Sequence, residues 1–265
     1  MASAHGHQLL LLLLLQLPAI VVCAFTVIER FEWLKSKGVF PSTIVDIGAN
    51  VGRWTTATAK VWPDASYLMV EANREHEQSL RAVTRRLQKA QLAIALLGNA
   101  TRQVPYFAAS PKARRYRGQN TGNSIFLENR PGASAAFSPR TEQMTSLDDL
   151  LASRGLGMPR VLKLDVQGAE LLVLAGAAHT LAHVEVLLLE MAVVPYNVGA
   201  PLWFEVHAEV ERLGFQAFDV NELNYASGVL VQIDILFLSK SSPLWNATGY
   251  GAPAGGWPRH TCRKG

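Results

Sequence analysis

The stretch Thr43-Ile44-Val45-Asp46-Ile47-Gly48-Ala49-Asn50-Val51-Gly52 decides how the rest of the chain is read. Apart from Asp46, its first five residues are β-branched, the composition of a strand buried on both faces. Gly48 and Gly52 then supply turn residues, and Arg53 to Trp62 has helical composition that ends at Pro63-Asp64. A strand, a glycine turn and a helix open a βαβ unit, in which ligands bind at the carboxyl ends of the strands.

Working outward, Ser66 to Glu71 reads as the second strand, followed by a helix from about His76 to Ala90, a strand from Leu92 to Leu97 and an edge-like piece from Val104 to Ala108. A loop-rich stretch then runs to Met144. Thr145-Ser146, with Asp148-Asp149 behind them, form a capping-box arrangement that announces a helix from Leu147 to Ser153. Strand Val161 to Val166, helix Ala169 to Leu181, strand Val184 to Met191 and helix Leu202 to Leu213 follow. Phe215 to Val220 and Val231 to Leu238 are two strands with only a polar turn between them. Alternating strands and helices imply parallel strands, right-handed crossovers and helices on both faces, and the closing pair implies an antiparallel last strand. The expected α/β fold is one doubly wound, Rossmann-like sheet of seven strands.

A chain of 265 residues holds one such domain and is short for two. With 49% apolar and 17% charged residues it is globular rather than disordered. The net charge of +4 is not gathered into dense Lys/Arg runs, so no nucleic-acid partner is expected. The 2 cysteines, Cys23 and Cys262, make neither a disulfide framework nor a zinc site. Residues 1–24 form a hydrophobic leader, with Leu9 to Phe25 apolar apart from Gln16 and Pro18. That run is short for a bilayer span; it suits a signal peptide, with small side chains at Val22-Cys23-Ala24, an uncleaved anchor or a buried first helix. A secretory-pathway location is expected, with membrane attachment through the leader as its variant. The sequons Asn99-Ala100-Thr101 and Asn246-Ala247-Thr248 fit that route. The catalytic domain is then expected over residues 25–240 and a Gly/Pro-rich tail over 241–265.

Asp46 gives the glycine turn a sign. A carboxylate beside a pyrophosphate is repelled, whereas one beside the ammonium and sulfonium of S-adenosyl-L-methionine is attracted. The dinucleotide fingerprint also needs a third glycine, and only Gly48 and Gly52 are in place. Asp46, Gly48, Asn50 and Gly52 are therefore candidates for holding this donor, and Glu71, ending the second strand, for its ribose hydroxyls. A nicotinamide-dependent oxidoreductase is the competing enzyme reading. A catalytically inactive binding module with the same fold is the competing class.

The second informative segment is Val161-Leu162-Lys163-Leu164-Asp165-Val166-Gln167-Gly168-Ala169-Glu170. Period two puts Lys163 and Asp165 on one side of the strand, with Asp165 at the carboxyl end, facing the cleft. Glu170 falls in the first turn of the next helix, where the macrodipole favours an acid.

In these two segments, and in Val70-Glu71-Ala72-Asn73, Thr145 to Leu150, Leu174-x-Gly176 and Gln232-x-Asp234-x-x-Phe237, the chain resembles the FkbM family of methyltransferases. The resemblance spans about Val27 to Ser239. It implies a class I methyltransferase fold, S-adenosyl-L-methionine as cofactor, and O-methylation of a hydroxyl on a sugar or other natural-product acceptor. Asp165 is then the candidate base or orienting group for that hydroxyl, and Lys163 fixes it or lowers its pKa. Glu190, at the end of the neighbouring strand, Tyr196 and Ser124 are the acceptor-side candidates. No metal shared by Asp165 and Glu190 is expected, because Met191 stands where a further oxygen donor is needed. Pro111 to Arg140, with Lys112, Arg114, Arg115, Arg117, Arg130 and Arg140, reads either as a rim recruiting an anionic or polyhydroxylated acceptor or as a solvated loop.

Overall fold

A computed structural model describes residues 25–109, 122–129 and 137–248. The leader, both cysteines, most of the Lys/Arg-bearing stretch and the tail beyond Thr248 lie outside the described residues. Strand β1 (Thr43–Ile47) is the centre of the sheet, and all five of its residues are buried. It pairs in parallel with β2 (Ser66–Glu71) on one side and β7 (Val161–Leu164) on the other. Beyond β2 lies β3 (Ala90–Ile94), and beyond β7 lies β8 (Val186–Ala192), both parallel to their neighbours. The last strand in the chain, β10 (Val229–Ser239), inserts antiparallel between β8 and the edge strand β9 (Phe215–Ala226). The seven strands stand in the order β3-β2-β1-β7-β8-β10-β9, the doubly wound mixed sheet read from the sequence.

Alternation along β1 sorts its side chains between two cores. Val45 and Ile47 pack with helices α4 (Leu147–Ala152), α5 (Glu170–Ala175), α6 (Ala178–Leu181) and α7 (Trp203–Arg212) on one face. Ile44 packs with α1 (Val27–Ser36), α2 (Arg53–Val61) and the short α8 (Leu244–Ala247) on the other. Asp46 shares that second face, which decides its role below. Thr26 caps α1 through the Glu29 amide while the Glu29 carboxylate accepts from the Thr26 amide, so the helix begins sharply.

Four local readings change. The helix expected to reach Ala90 is α3 (Glu77–Arg86), because Leu87 turns extended and releases the chain into β3. The strand expected over Leu92 to Leu97 splits, and β4 (Leu96–Leu97) leaves the main sheet for a second one with β5 (Arg102–Ala109) and β6 (Phe137–Thr145). β6 lies within the stretch read as loop. Of β6 only Met144 pairs on both sides, so Pro139 lies where one side of the strand needs no donor, and polar residues along that unpaired side hide the strand. The helix expected from Ala169 to Leu181 breaks after α5. The Gly176 carbonyl accepts the Asp148 amide, and the Asp148 carboxylate caps α6 through the amides of His179 and Thr180. Asp148 thus belongs to another helix's cap, while Ser146 alone caps α4. Packing also continues past residue 240, with Leu244 and Trp245 of α8 buried in the second core.

The β1–α2 turn fixes the sheet's geometry at Gly48. Its φ is +77°, and a Cβ there would lie 1.8 Å from the Asp165 carbonyl oxygen, against backbone that cannot yield. Gly38 has φ +92° but open space around it. Gly48→Ala is expected to cost more than ~4 kcal/mol or to abolish folding, and Gly38→Ala only ~1 kcal/mol, in urea denaturation. Equal, small losses at the two positions would show that the close approach is not rigid.

Candidate active site

The carboxyl ends of β1, β2, β7 and β8, with the adjoining part of β10, open onto one cavity of about 920 Å³. Leu96, Leu97 and Tyr106 of the small sheet wall its other side. Ile47 passes into the turn Gly48-Ala49-Asn50, whose Gly48 and Ala49 amides donate to the Val70 carbonyl. Asn50 takes φ +51°, a left-handed conformation that Asn tolerates, and its amide donates to Glu71 Oε2 at 2.7 Å. The Asn73 amide donates to Glu71 Oε1 at 2.7 Å. Burial raises the Glu71 pKa, with the two amides opposing it. Each Glu71 oxygen keeps a further lone pair for a ligand.

Gly48, Asn50 and Glu71 line the cavity, whereas Asp46 and Gly52 do not. Asp46 is 1% exposed. Its Oδ2 accepts the Thr55 hydroxyl at 2.6 Å, and Oδ1 lies 3.4 Å from Lys163 Nζ, in ion-pair range without hydrogen-bond geometry. The carboxylate read as facing a ligand stands behind the turn, because alternation sends it to the α2 face. Gly52 allows the turn to pack on Val83 and Leu80 of α3.

Lys163 is paired in register with Asp46 across the β1–β7 ladder, and its ammonium also reaches Asp165 Oδ2 at 3.3 Å. Burial works against its charge, yet the carboxylates of Asp165, Asp46 and Glu190 outweigh that and hold its pKa above the ordinary lysine range. Lys163 is a fixed cation rather than a proton acceptor. Asp165 follows β7, its amide on the Ile47 carbonyl.

Gln167 ties the far half of the cavity together. Its Nε2 donates to Asp165 Oδ1 at 3.0 Å and to Glu190 Oε1 at 2.6 Å. Its carbonyl accepts from the Ser124 hydroxyl and from Asn197 Nδ2, each at 2.8 Å. Ser124 Oγ also accepts the Phe126 amide, so this hydroxyl holds the turn rather than standing free for a substrate. Gln232 Nε2 donates to Tyr196 Oη at 2.8 Å and to Glu190 Oε1. Burial, first, and then Asp165 and Asp234 raise the Glu190 pKa well above the carboxylate range. Burial together with the charges of Asp165 and Glu222, opposed by Lys163, pushes Asp234 up to about 7.

A model of the methyltransferase FkbM domain matches residues 46–217. The chain belongs to the FkbM methyltransferase family. The match runs from Asp46 through the glycine turn, Glu71 and the Lys163–Glu170 string. Among solved structures the chain is similar to the FkbM methyltransferase from Methylobacillus flagellatus KT, with 18% identity and a TM-score of 0.47 over 74% of this chain and 43% of that one. It is also similar to the magnesium protoporphyrin IX methyltransferase of Synechocystis PCC 6803, solved with bound SAM (12% identity, 80% of this chain and 76% of that one, TM-score 0.43). A third is the precorrin-6y C5,15-methyltransferase of Geobacter metallireducens GS-15 (10%, 79% and 87%, TM-score 0.42). The chain spans less than half the length of the first of these. No curated protein matches the chain.

The wall chemistry fits the family's methyl donor. Glu71, Asp165, Glu190 and Asp234 line the cavity against two cations, Arg53 and a Lys163 already shared between two acids, so acids outnumber cations in a lining that favours a sulfonium over a pyrophosphate. Membership likewise sets the chain with methyltransferases rather than nicotinamide oxidoreductases. The site reading missed Gln167, Gln232 and Asp234, which stood in quoted motifs with no role, and Tyr106. Gln167 carried the one usable signal, a polar residue directly before Gly168, and the structure gives it φ +54°.

Asp234 and the buried Glu170, each pushed up to about 7, bind protons in the fold that the unfolded chain releases near pH 4. Their contribution is therefore full below about pH 4 and lost as pH rises through about 7. Asp234→Asn removes one of them, so its stability relative to the parent is expected to improve between pH 4.5 and about pH 7 and to level off above that in urea denaturation. A difference independent of pH would show that Asp234 does not titrate abnormally.

Proposed function

We propose that this protein transfers the methyl group of S-adenosyl-L-methionine to a hydroxyl of a sugar or other natural-product acceptor. The observation that carries the reading is the single cavity that joins the glycine turn and Glu71 to Asp165, Glu190 and Tyr196. Bound at the turn, S-adenosyl-L-methionine supplies an electrophilic methyl carbon on a sulfonium. Glu71, steadied by two backbone amides, accepts hydrogen bonds from the ribose hydroxyls. Asp165, fixed by Lys163 and Gln167, orients the acceptor hydroxyl and takes its proton as the oxygen–carbon bond forms. Lys163 holds the Asp165 carboxylate in place, and Tyr196 with Glu190 shapes the acceptor pocket. The apolar leader and the exposed sequon residues Asn99 and Asn246 support a secretory-pathway location for this activity.

Calorimetric titration with S-adenosyl-L-methionine is expected to show binding by the parent and a loss of about tenfold or more in Glu71→Ala. No detectable binding by the folded parent would leave an inactive module of the same fold. Asp165→Asn is expected to lower turnover about 100-fold or more with donor affinity changed less than about threefold. An unaltered rate would remove Asp165 from proton transfer. Enzymatic removal of N-linked glycans from the chain made in a secretory host should lower its mass, and an unchanged mass would withdraw the support from the sequons.

A further inference from the structure

Glu190, Asp234 and Glu222 stand opposite one another across β8, β10 and β9, and all three line the cavity beside Asp165. Like charges directly opposite in antiparallel strands destabilise a sheet. Among the described residues none of the three forms an ion pair, and the ammonium of Lys163 lies between Asp46 and Asp165. Glu190 Oε1 is satisfied by two amide donors, whereas Asp234 accepts no hydrogen bond from the side chains of the described residues, and its Oδ1 is shut off from solvent. A carboxylate placed that way is unfavourable unless something else brings the complementary charge.

We propose that Asp234 binds the acceptor, and that the acceptor carries a protonated amino group near the hydroxyl to be methylated, as an amino sugar or a similar aminated polyol does. The inference rests on the methyl-transfer reading of the same cavity and narrows its substrate class. An ammonium has three donors to distribute, which suits Asp234 flanked by Glu190 and Glu222. An anionic acceptor meets repulsion from the whole row, and a neutral polyol leaves its charge uncompensated. The groups facing Asp234 are Glu190 on β8, Glu222 on β9, and Asp165 and Lys163 on or just after β7. Only Lys163 favours its charged form, so a bound ammonium draws Asp234 into ionisation, and affinity for an amine rises with pH toward about 7 for as long as the amine keeps its own proton.

The test is calorimetric titration of the full chain with three matched probes, methyl glucoside, methyl glucosaminide and methyl glucuronide, with and without S-adenosyl-L-homocysteine. The amine is expected to bind at least about tenfold tighter than the neutral sugar, with the acid weakest, and the preference to shrink to under about twofold in Asp234→Asn. No binding of the amine, equal binding of amine and neutral probe, or a preference that survives in a folded Asp234→Asn overturns the proposal. The three-probe comparison in the parent decides the matter even where the variant does not fold. Titration with S-adenosyl-L-homocysteine alone judges the methyl-transfer reading separately, so donor binding without an amine preference defeats only this inference.

Discussion

The parallel pairing of β1 with β7 is the constraint on which the site depends. Ile47 stands level with Leu164, and the Asp165 amide closes on the Ile47 carbonyl, so the two chains leave the sheet side by side. Gly48 can then pass against the Asp165 carbonyl only because it has no side chain. One strand spacing, ~4.8 Å, therefore separates the turn assigned to the methyl donor from the carboxylate assigned to the acceptor. The same register sets Asp46 beside Lys163, and the ammonium held there fixes Asp165 from below.

Charge is divided across this pairing. Behind the turn, Asp46, Thr55 and Lys163 form a closed group, with the buried cation shared between two acids. In front of it Glu71, Glu190 and Asp234 line the cavity, and among the described residues none of them forms a salt bridge within 4 Å. Backbone amides hold Glu71, and the amides of Gln167 and Gln232 hold Glu190. Asp234 has no such donor among the described residues, and burial with the charges of Asp165 and Glu222, opposed only by Lys163, pushes its pKa up to about 7. Such an arrangement costs stability that two cores, one on each face of the sheet, must offset.

Positioning here is done mostly by residues that never meet a substrate. Ser124 and Asn197 converge on the Gln167 carbonyl, and the side chain of Gln167 then places Asp165 and Glu190. Asp148 plays a comparable part outside the site, linking the start of α4 to the cap of α6. Both devices bring together groups that are far apart along the chain.

The sequence by itself determined the alternation of strands and helices, the antiparallel last strand, the glycine turn and the residues at the strand ends, because buried strands need continuous apolar runs and turns need Gly. Glu71, Lys163, Asp165 and Glu190 were legible as cavity residues for the same reason, as polar groups at or near the carboxyl ends of apolar strands, and Tyr196 as a residue of the loop that follows β8. β6 was not, since most of its length has a partner on one side only, tolerates Pro139 and polar residues, and so lacks a strand's signature. Only the tertiary structure decided which way each acid faces. It turned Asp46 away from the cavity and Asp234 into it. Register and sheet order set those directions, and strands distant along the chain supply them.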